Sequence, residues 1–164
     1  MCVSENGLMR DTGDGTFSPN AALTRAMIAD VLYGLDGRPE VSGEIPFSDV
    51  DSGDWYTAAL VWCYQRGMIV GYADGTVKPN AGVTIAEAAV ILWSYGYLHG
   101  RDVSGRVDLS DFTDAAEVPA WALDSMQWAV YAGIYAGRTP TTLAPNEWVS
   151  RADVALMVYR YCQG

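Results

Sequence analysis

Apolar positions recur at helical spacing in three places along this chain. Ile28, Val31, Leu32 and Leu35 fall at i, i+3, i+4 and i+7, one face of a helix. The same register returns at Ala88, Ile91, Leu92 and Tyr95, and again at Val154, Met157, Val158 and Tyr161. A hydroxyl residue stands ahead of each stripe, Thr24, Thr84 and Ser150, where a helix N-cap is expected. Thr84 and Glu87 have the spacing of a capping box, Ser150 and Asp153 make a shorter-armed version, and Thr24 with Met27 lacks the acid. Two further stripes, Leu60-Cys63-Tyr64 and Met126-Ala129-Val130, predict an earlier helix in the second and third blocks. Trp62 and Trp128 lie on a neighbouring face and are expected in the core; their counterpart in the first block is Cys2. Gly67 and Gly133 stop these helices in the manner of C′ glycines, as does Gly7, so that residues 1–6 read as a helix end.

The blocks are copies of one unit. Between glycine and cap lie Asp14-Gly15-Thr16-Phe17-Ser18-Pro19, then Asp74-Gly75-Thr76-Val77-Lys78-Pro79, then Leu143-Ala144-Pro145. Glycine, proline and hydroxyl residue step together by 60 residues and then by 66, which marks an internal repeat. Each full unit reads helix, glycine-stopped loop, capped helix. Three capped helices with the same buried face predict an all-α, pseudo-threefold arrangement around a central three-helix bundle. The repeats are placed at 1–37 (incomplete), 45–98 and 110–163, within a single domain spanning 1–164. Polar connectors at 36–46 and 99–110 each lead to a Phe-x-Asp, Phe47-Ser48-Asp49 and Phe112-Thr113-Asp114, whose acids are expected to brace a turn. The helices that follow should open at Asp54-Trp55 and Pro119-Ala120-Trp121. The first copy starts partway through its own first helix, so the chain reads as a piece of something longer.

Charge narrows the function classes. The net charge is −10, the pI about 4.3, and Lys78 is the only lysine. Such a surface does not suit nucleic acid or anionic membrane, and no apolar run reaches the roughly 20 residues of a membrane span. The N-terminus lacks the basic start and apolar stretch of a secretion signal. Cys2, Cys63 and Cys162 are widely spaced and read as small apolar helix residues, with no metal site or disulfide framework indicated. Asp49-Val50-Asp51-Ser52-Gly53-Asp54 resembles a calcium loop only at its start, because Gly53 and Leu60 stand where ligands belong. His99, the lone histidine, has no nucleophile motif beside it, and no catalytic residue, metal ligand or cofactor is assigned.

Phe-x-Asp-Val, an early Trp, a Gly-hydrophobic stretch closed by Gly, Asp-Gly-Thr-Phe-x-Pro and Thr-Arg-Ala-Glu, in that order, resemble the S-layer homology motif. The second copy carries them as Phe47-Ser48-Asp49-Val50, Trp55-Tyr56, Gly67-Met68-Ile69-Val70-Gly71, Asp74 to Pro79, and Thr84-Ile85-Ala86-Glu87. The resemblance covers nearly the whole chain. It implies a non-catalytic bacterial cell-surface anchoring module, in which grooves between three packed motifs bind secondary cell wall polysaccharide, often bearing ketal-linked pyruvate. It also implies a monomeric segment of a larger surface protein, held in the cell wall or S-layer of a Gram-positive-type bacterium. Its partner would be an anionic wall polymer associated with peptidoglycan. The arginine after the capping hydroxyl is the family residue tied to the carboxylate.

Arg25 and Arg151 occupy that position, while Ile85 replaces it in the second copy, so two competent sites at most are expected. An arginine at the first helical position offers a forked donor pair, and the helix-start amides would add to it. The candidate ligand-binding set is therefore Arg25, Arg151, Thr24, Ser150, Trp55 and Trp121, the tryptophans offering faces for a sugar ring. The third copy has lost the Asp-Gly of its loop. A degenerate assembly that keeps the fold and has lost polymer binding is the alternative.

Overall fold

A computed structural model describes residues 21–164. The helix end expected at 1–6, the first loop and Cys2 lie outside the described residues. The described chain forms five α-helices: α1 (Arg25–Leu35), α2 (Thr57–Gln65), α3 (Ile85–Leu98), α4 (Leu123–Tyr131) and α5 (Arg151–Gln163). Short 3₁₀ turns at Ala115–Glu117 and Ala120–Ala122 precede α4. The fold is all-α, as the periodicities predict, and extended pairing among the described residues is confined to isolated bridges.

Those bridges make the threefold relation visible. The residue before each N-cap hydrogen-bonds to its equivalent in another repeat, and the three bonds close a ring. Leu23 N–H donates to Val149 O at 2.9 Å, Val149 N–H to Val83 O at 2.8 Å, and Val83 N–H to Leu23 O at 3.2 Å. Leu23, Val83 and Val149 are fully buried at this ring, from which α1, α3 and α5 set out. At the far ends, Tyr95 of α3 donates to Asp36 at 2.6 Å and meets the Tyr161 ring of α5 edge-on, with centroids 5.6 Å apart. Gly96 lies beside this contact, where an added Cβ would sit 3.3 Å from Val103 and 3.4 Å from Tyr161. His99 extends the same tie, its Nε2 2.8 Å from an Asp36 oxygen.

Helix starts follow the capping residues. Thr24, Thr84 and Ser150 have extended backbones, and their hydroxyls accept the N–H of Met27, Glu87 and Asp153. Met27 lacks a carboxylate, yet its Sδ lies 3.5 Å from Thr24 N and completes a capping box with a thioether. α2 and α4 start later than their tryptophans suggested. Thr57 and Leu123 open the helices, and Pro119, with ψ 145°, is still extended. Gly67 and Gly133, both at φ +74°, end α2 and α4 as expected.

The core is one cluster in which Trp62 and Trp128 are almost wholly enclosed. The tightest helix pairs are α1 with α2 and α3 with α4, each capped helix lying against the first helix of the next repeat. Cys63 is buried and free, and burial pushes its thiol pKa well up. Cys162 is disulfide-bonded, so the reading of every cysteine as apolar filler is corrected there. A cysteine on a helix face carries the same sequence signal whether or not it is oxidised.

Candidate functional site

Each helix start is covered by the loop of the following repeat. Arg25 N–H donates to Ala81 O and Ala26 N–H to Pro79 O, both at 2.9 Å, while Met27 N–H takes Thr24 Oγ1 at 3.1 Å. In α3 the acceptors are Glu147 O at 3.0 Å, Pro145 O at 2.9 Å and Thr84 Oγ1 at 3.1 Å. In α5 Arg151 N–H donates to Ala21 O at 3.1 Å. The amides that a helix normally leaves open at its start are thus occupied by neighbouring carbonyls. The expectation that they would help hold an anion is corrected, because the same contacts assemble the repeats. Thr24 and Ser150 set the helix starts with their hydroxyl oxygens.

The loops that supply these carbonyls are held from below by the Phe-x-Asp acids. Asp49 accepts from Val77 N–H at 3.0 Å and Lys78 N–H at 2.8 Å; Asp114 accepts from Leu143 and Ala144 N–H, both at 2.8 Å. Lys78 and Ala144 have φ of +52° and +50°, a left-handed turn that costs about 1–2 kcal/mol for a residue with a Cβ. Charge-assisted bonds to two successive amides offset that cost. The turn-bracing role expected of both acids is what the geometry shows.

Arg25 spans this junction. Its Nε donates to Val77 O at 2.8 Å and its Nη2 to Val70 O at 2.7 Å, with Nη1 3.8 Å from Glu87 and the guanidinium 5.1 Å from the Tyr72 ring centre. Only 7% of the residue is exposed. With Glu87 and Trp121 it lines a groove of about 270 Å³ whose apolar lining comes from Met68, Ile69, Val70, Val90 and Ile91. Trp121 is 62% exposed. Arg25 comes from the first repeat, Glu87 from the second and Trp121 from the third, so the groove exists only in the assembled molecule. A guanidinium has five N–H donors; two are committed to carbonyls, and Nη1 faces the Glu87 carboxylate.

The other named residues lie elsewhere. Arg151 is enclosed, at 1% exposure. Trp55 borders a separate hollow against the connector, with Val41, Ile45 and Val61. Ile85 fills the first helical position of α3 with no exposed surface. Glu87 was legible in the sequence only as a capping acid. Its second place, facing Arg25 across the groove, depends on which neighbour each repeat packs against, and no spacing within one repeat encodes that.

Comparison with known proteins bears on this arrangement. The family model described as "S-layer homology domain" matches residues 3–27, 46–89 and 111–155. The chain is 30% identical to the Surface-layer 125 kDa protein of Lysinibacillus sphaericus over 94% of its own length and 13% of that protein's. It is 29% identical to Cell surface glycoprotein 1 of Acetivibrio thermocellus, covering 93% of this chain and 7% of the glycoprotein. It is 32% identical to an amylopullulanase of Thermoanaerobacterium thermosulfurigenes, covering 89% of this chain and 8% of the enzyme. The chain therefore spans a small part of each of these relatives. Three matched segments, in step with three repeats that share one ring of hydrogen bonds, place the chain in the S-layer homology domain family.

Proposed function

We propose that the chain is a non-catalytic anchoring module that binds anionic cell wall polysaccharide, with the Arg25–Trp121 groove as its principal site. The observation that carries this is the convergence of a cation, a carboxylate and an exposed tryptophan from three repeats on one apolar-lined groove. In this reading Arg25 meets a carboxylate on the polymer, such as that of a ketal-linked pyruvate, and Trp121 supports the adjoining sugar ring. Arg25 works locally against a net charge of −10. The similarity shared with a surface-layer protein, a surface glycoprotein and a polysaccharide-degrading enzyme lies in a small fraction of each, which fits an anchor carried by unrelated parents. We assign the whole of 1–164 to one monomeric domain, part of a larger protein at the wall of a Gram-positive-type bacterium. Arg151, Thr24, Ser150 and Trp55 complete the proposed ligand-binding set.

The structural alternative draws on one observation: Arg25 is a clasp between repeats, so an arginine here has a reason to exist without any ligand. Trp121 separates the two readings, since an exposed ring contributes little to folding. Cell walls are pelleted with wild type and Trp121→Ala, before and after chemical removal of pyruvate. The expected result is pyruvate-dependent binding by wild type, weakened roughly two- to tenfold in Trp121→Ala with an unchanged Tm, as loss of one aromatic contact implies. Pelleting of neither protein, or pelleting that removal of pyruvate leaves unchanged, supports the structural alternative, whereas equal pyruvate-dependent pelleting of both removes Trp121 from the site.

A further inference from the structure

Two of the three junctions between repeats carry a buried tryptophan, and the third has a cysteine in its place. Trp62 on α2 lies against α1, its ring 5.6 Å from that of Tyr33, and it is fully enclosed. Trp128 is its counterpart on α4, which pairs with α3. The 60-residue step back from Trp62 arrives at Cys2. On the capped helices the same steps pair Tyr33 with Trp93 and Tyr159, and Asp36 with Gly96 and Cys162. Tyr159 on α5 is 43% exposed where Tyr33 is 8%, so the third junction covers less aromatic surface than the first. The state of the cysteines adds an independent observation. The chain has three, of which Cys63 is buried and free while Cys162 is disulfide-bonded. The first junction shows that the two positions concerned are neighbours. Cys63 follows Trp62 on α2, and its thiol is pushed well up, first by burial and then by the carboxylates of Asp36 and Asp30 acting against Arg66. Asp36 stands in the first repeat where Cys162 stands in the third.

We propose that Cys2 and Cys162 form a disulfide that staples the first repeat to the third and closes the ring of repeats covalently. The cysteine count names the pair, and the repeat register brings both members to one junction. A tryptophan buries far more apolar surface than a cysteine, so this junction is held less firmly by packing than the other two. The disulfide offsets that by constraining the unfolded chain, the more so because the loop it closes runs nearly the whole length of the sequence. As the S–S bond forms, two S–H bonds break. The electron pair and both protons pass to the disulfide of an exported thiol oxidoreductase, which leaves as its dithiol. Cys63, enclosed and with its thiol pushed up, takes no part in the exchange. A cell wall lies in oxidising surroundings, where such a bond persists.

The test is mass spectrometry of the intact protein, purified without reductant and alkylated with iodoacetamide in denaturant. One alkyl group is expected before reduction, on Cys63, and three after it. Tryptic digestion of the unreduced protein is expected to yield a cross-linked pair joining residues 1–10 to residues 161–164. Thermal unfolding reads what the bond contributes. Cys2→Ser, Cys162→Ser and the double variant are each expected to lower the Tm by the same amount, roughly 5–15 °C. Dithiothreitol is expected to bring wild type down to that value and to leave the three variants where they are. Cys63→Ser is expected to keep the cross-linked pair. Three alkyl groups without reduction, a peptide joining Cys162 to Cys63, or a covalent dimer that reductant splits each overturn the proposal. A wild-type Tm that reductant does not move overturns the stapling role. The mass map needs no variant to fold, so the pairing is decided even if the serine variants do not.

Discussion

At the residue scale the loop-bracing aspartates carry testable weight. Asp114 accepts from two amides, one of them belonging to Ala144 in its left-handed conformation. Removing both acceptors in Asp114→Ala is expected to destabilise the protein by about 1–3 kcal/mol, measured by urea denaturation at neutral pH. The sign of the pH dependence follows from the same bonds. Desolvation alone would raise the Asp114 pKa, but the Leu143 and Ala144 amides outweigh it and hold the carboxyl below its usual range. Asp153 behaves alike, with burial opposed by Ser150 and Arg138. A carboxylate whose folded pKa is depressed contributes stability above its unfolded pKa of about 4 and loses it as pH falls through the folded value. Denaturation midpoints should therefore fall below about pH 4 in wild type, and Asp114→Asn should flatten that fall. The wild-type fall persisting undiminished in Asp114→Asn would assign the effect to other acids. The role of these aspartates was legible in the sequence because a Phe-x-Asp recurred ahead of each loop. Their partners 28–30 residues away were not, since spacing within a motif says nothing of which later amides fold back onto it.

At the element scale, what ends a helix was easier to read than what begins one. Gly67 and Gly133 both adopt φ +74° with open space where a Cβ would go. Substitution there meets backbone strain alone, so Gly67→Ala and Gly133→Ala are each expected to cost about 1–2 kcal/mol. Gly53 also faces open space but is not in the left-handed region, so Gly53→Ala should be neutral or slightly stabilising. Thermal unfolding of the three variants, compared side by side, checks that contrast. The starts of α2 and α4 were misplaced because a proline tolerated in a first turn is equally at home in an extended approach, which is how Pro119 is used. The three capped helices were legible in full, for two reasons. Their apolar register repeats three times, and Thr24, Thr84 and Ser150 make the caps their residue types prescribe. Only the sulfur acceptor of Met27 went unread, because a thioether is too weak an acceptor to be expected at that place.

At the scale of the whole molecule, the repeats share a scaffold and differ in how they close on one another. The ring of Leu23, Val83 and Val149 is common to all three. The junction above it has two solutions among the described residues: Arg25 with Tyr72 in the first groove, and Ile85 with Tyr135 and Arg138 in the second. The sequence shows each substitution separately and cannot show that they compensate, since the members lie in different repeats. If they do compensate, they should couple. Ile85→Arg alone places a guanidinium where the Leu143 carbonyl is already taken by Tyr135 and where Arg138 already answers Asp153. An uncompensated buried charge of this kind is expected to cost about 3–5 kcal/mol. Adding Tyr135→Ile and Arg138→Tyr installs the residues of the first groove, frees the carbonyl and leaves Asp153 to the new arginine. The triple variant should recover most of the loss. The coupling energy, read from denaturation of the single, double and triple variants, should far exceed the few tenths of a kcal/mol expected of independent sites. Strict additivity would mean that each groove owes its residues to local packing alone. Strong coupling would mean that an S-layer homology repeat can move its arginine between helix and loop without losing the junction.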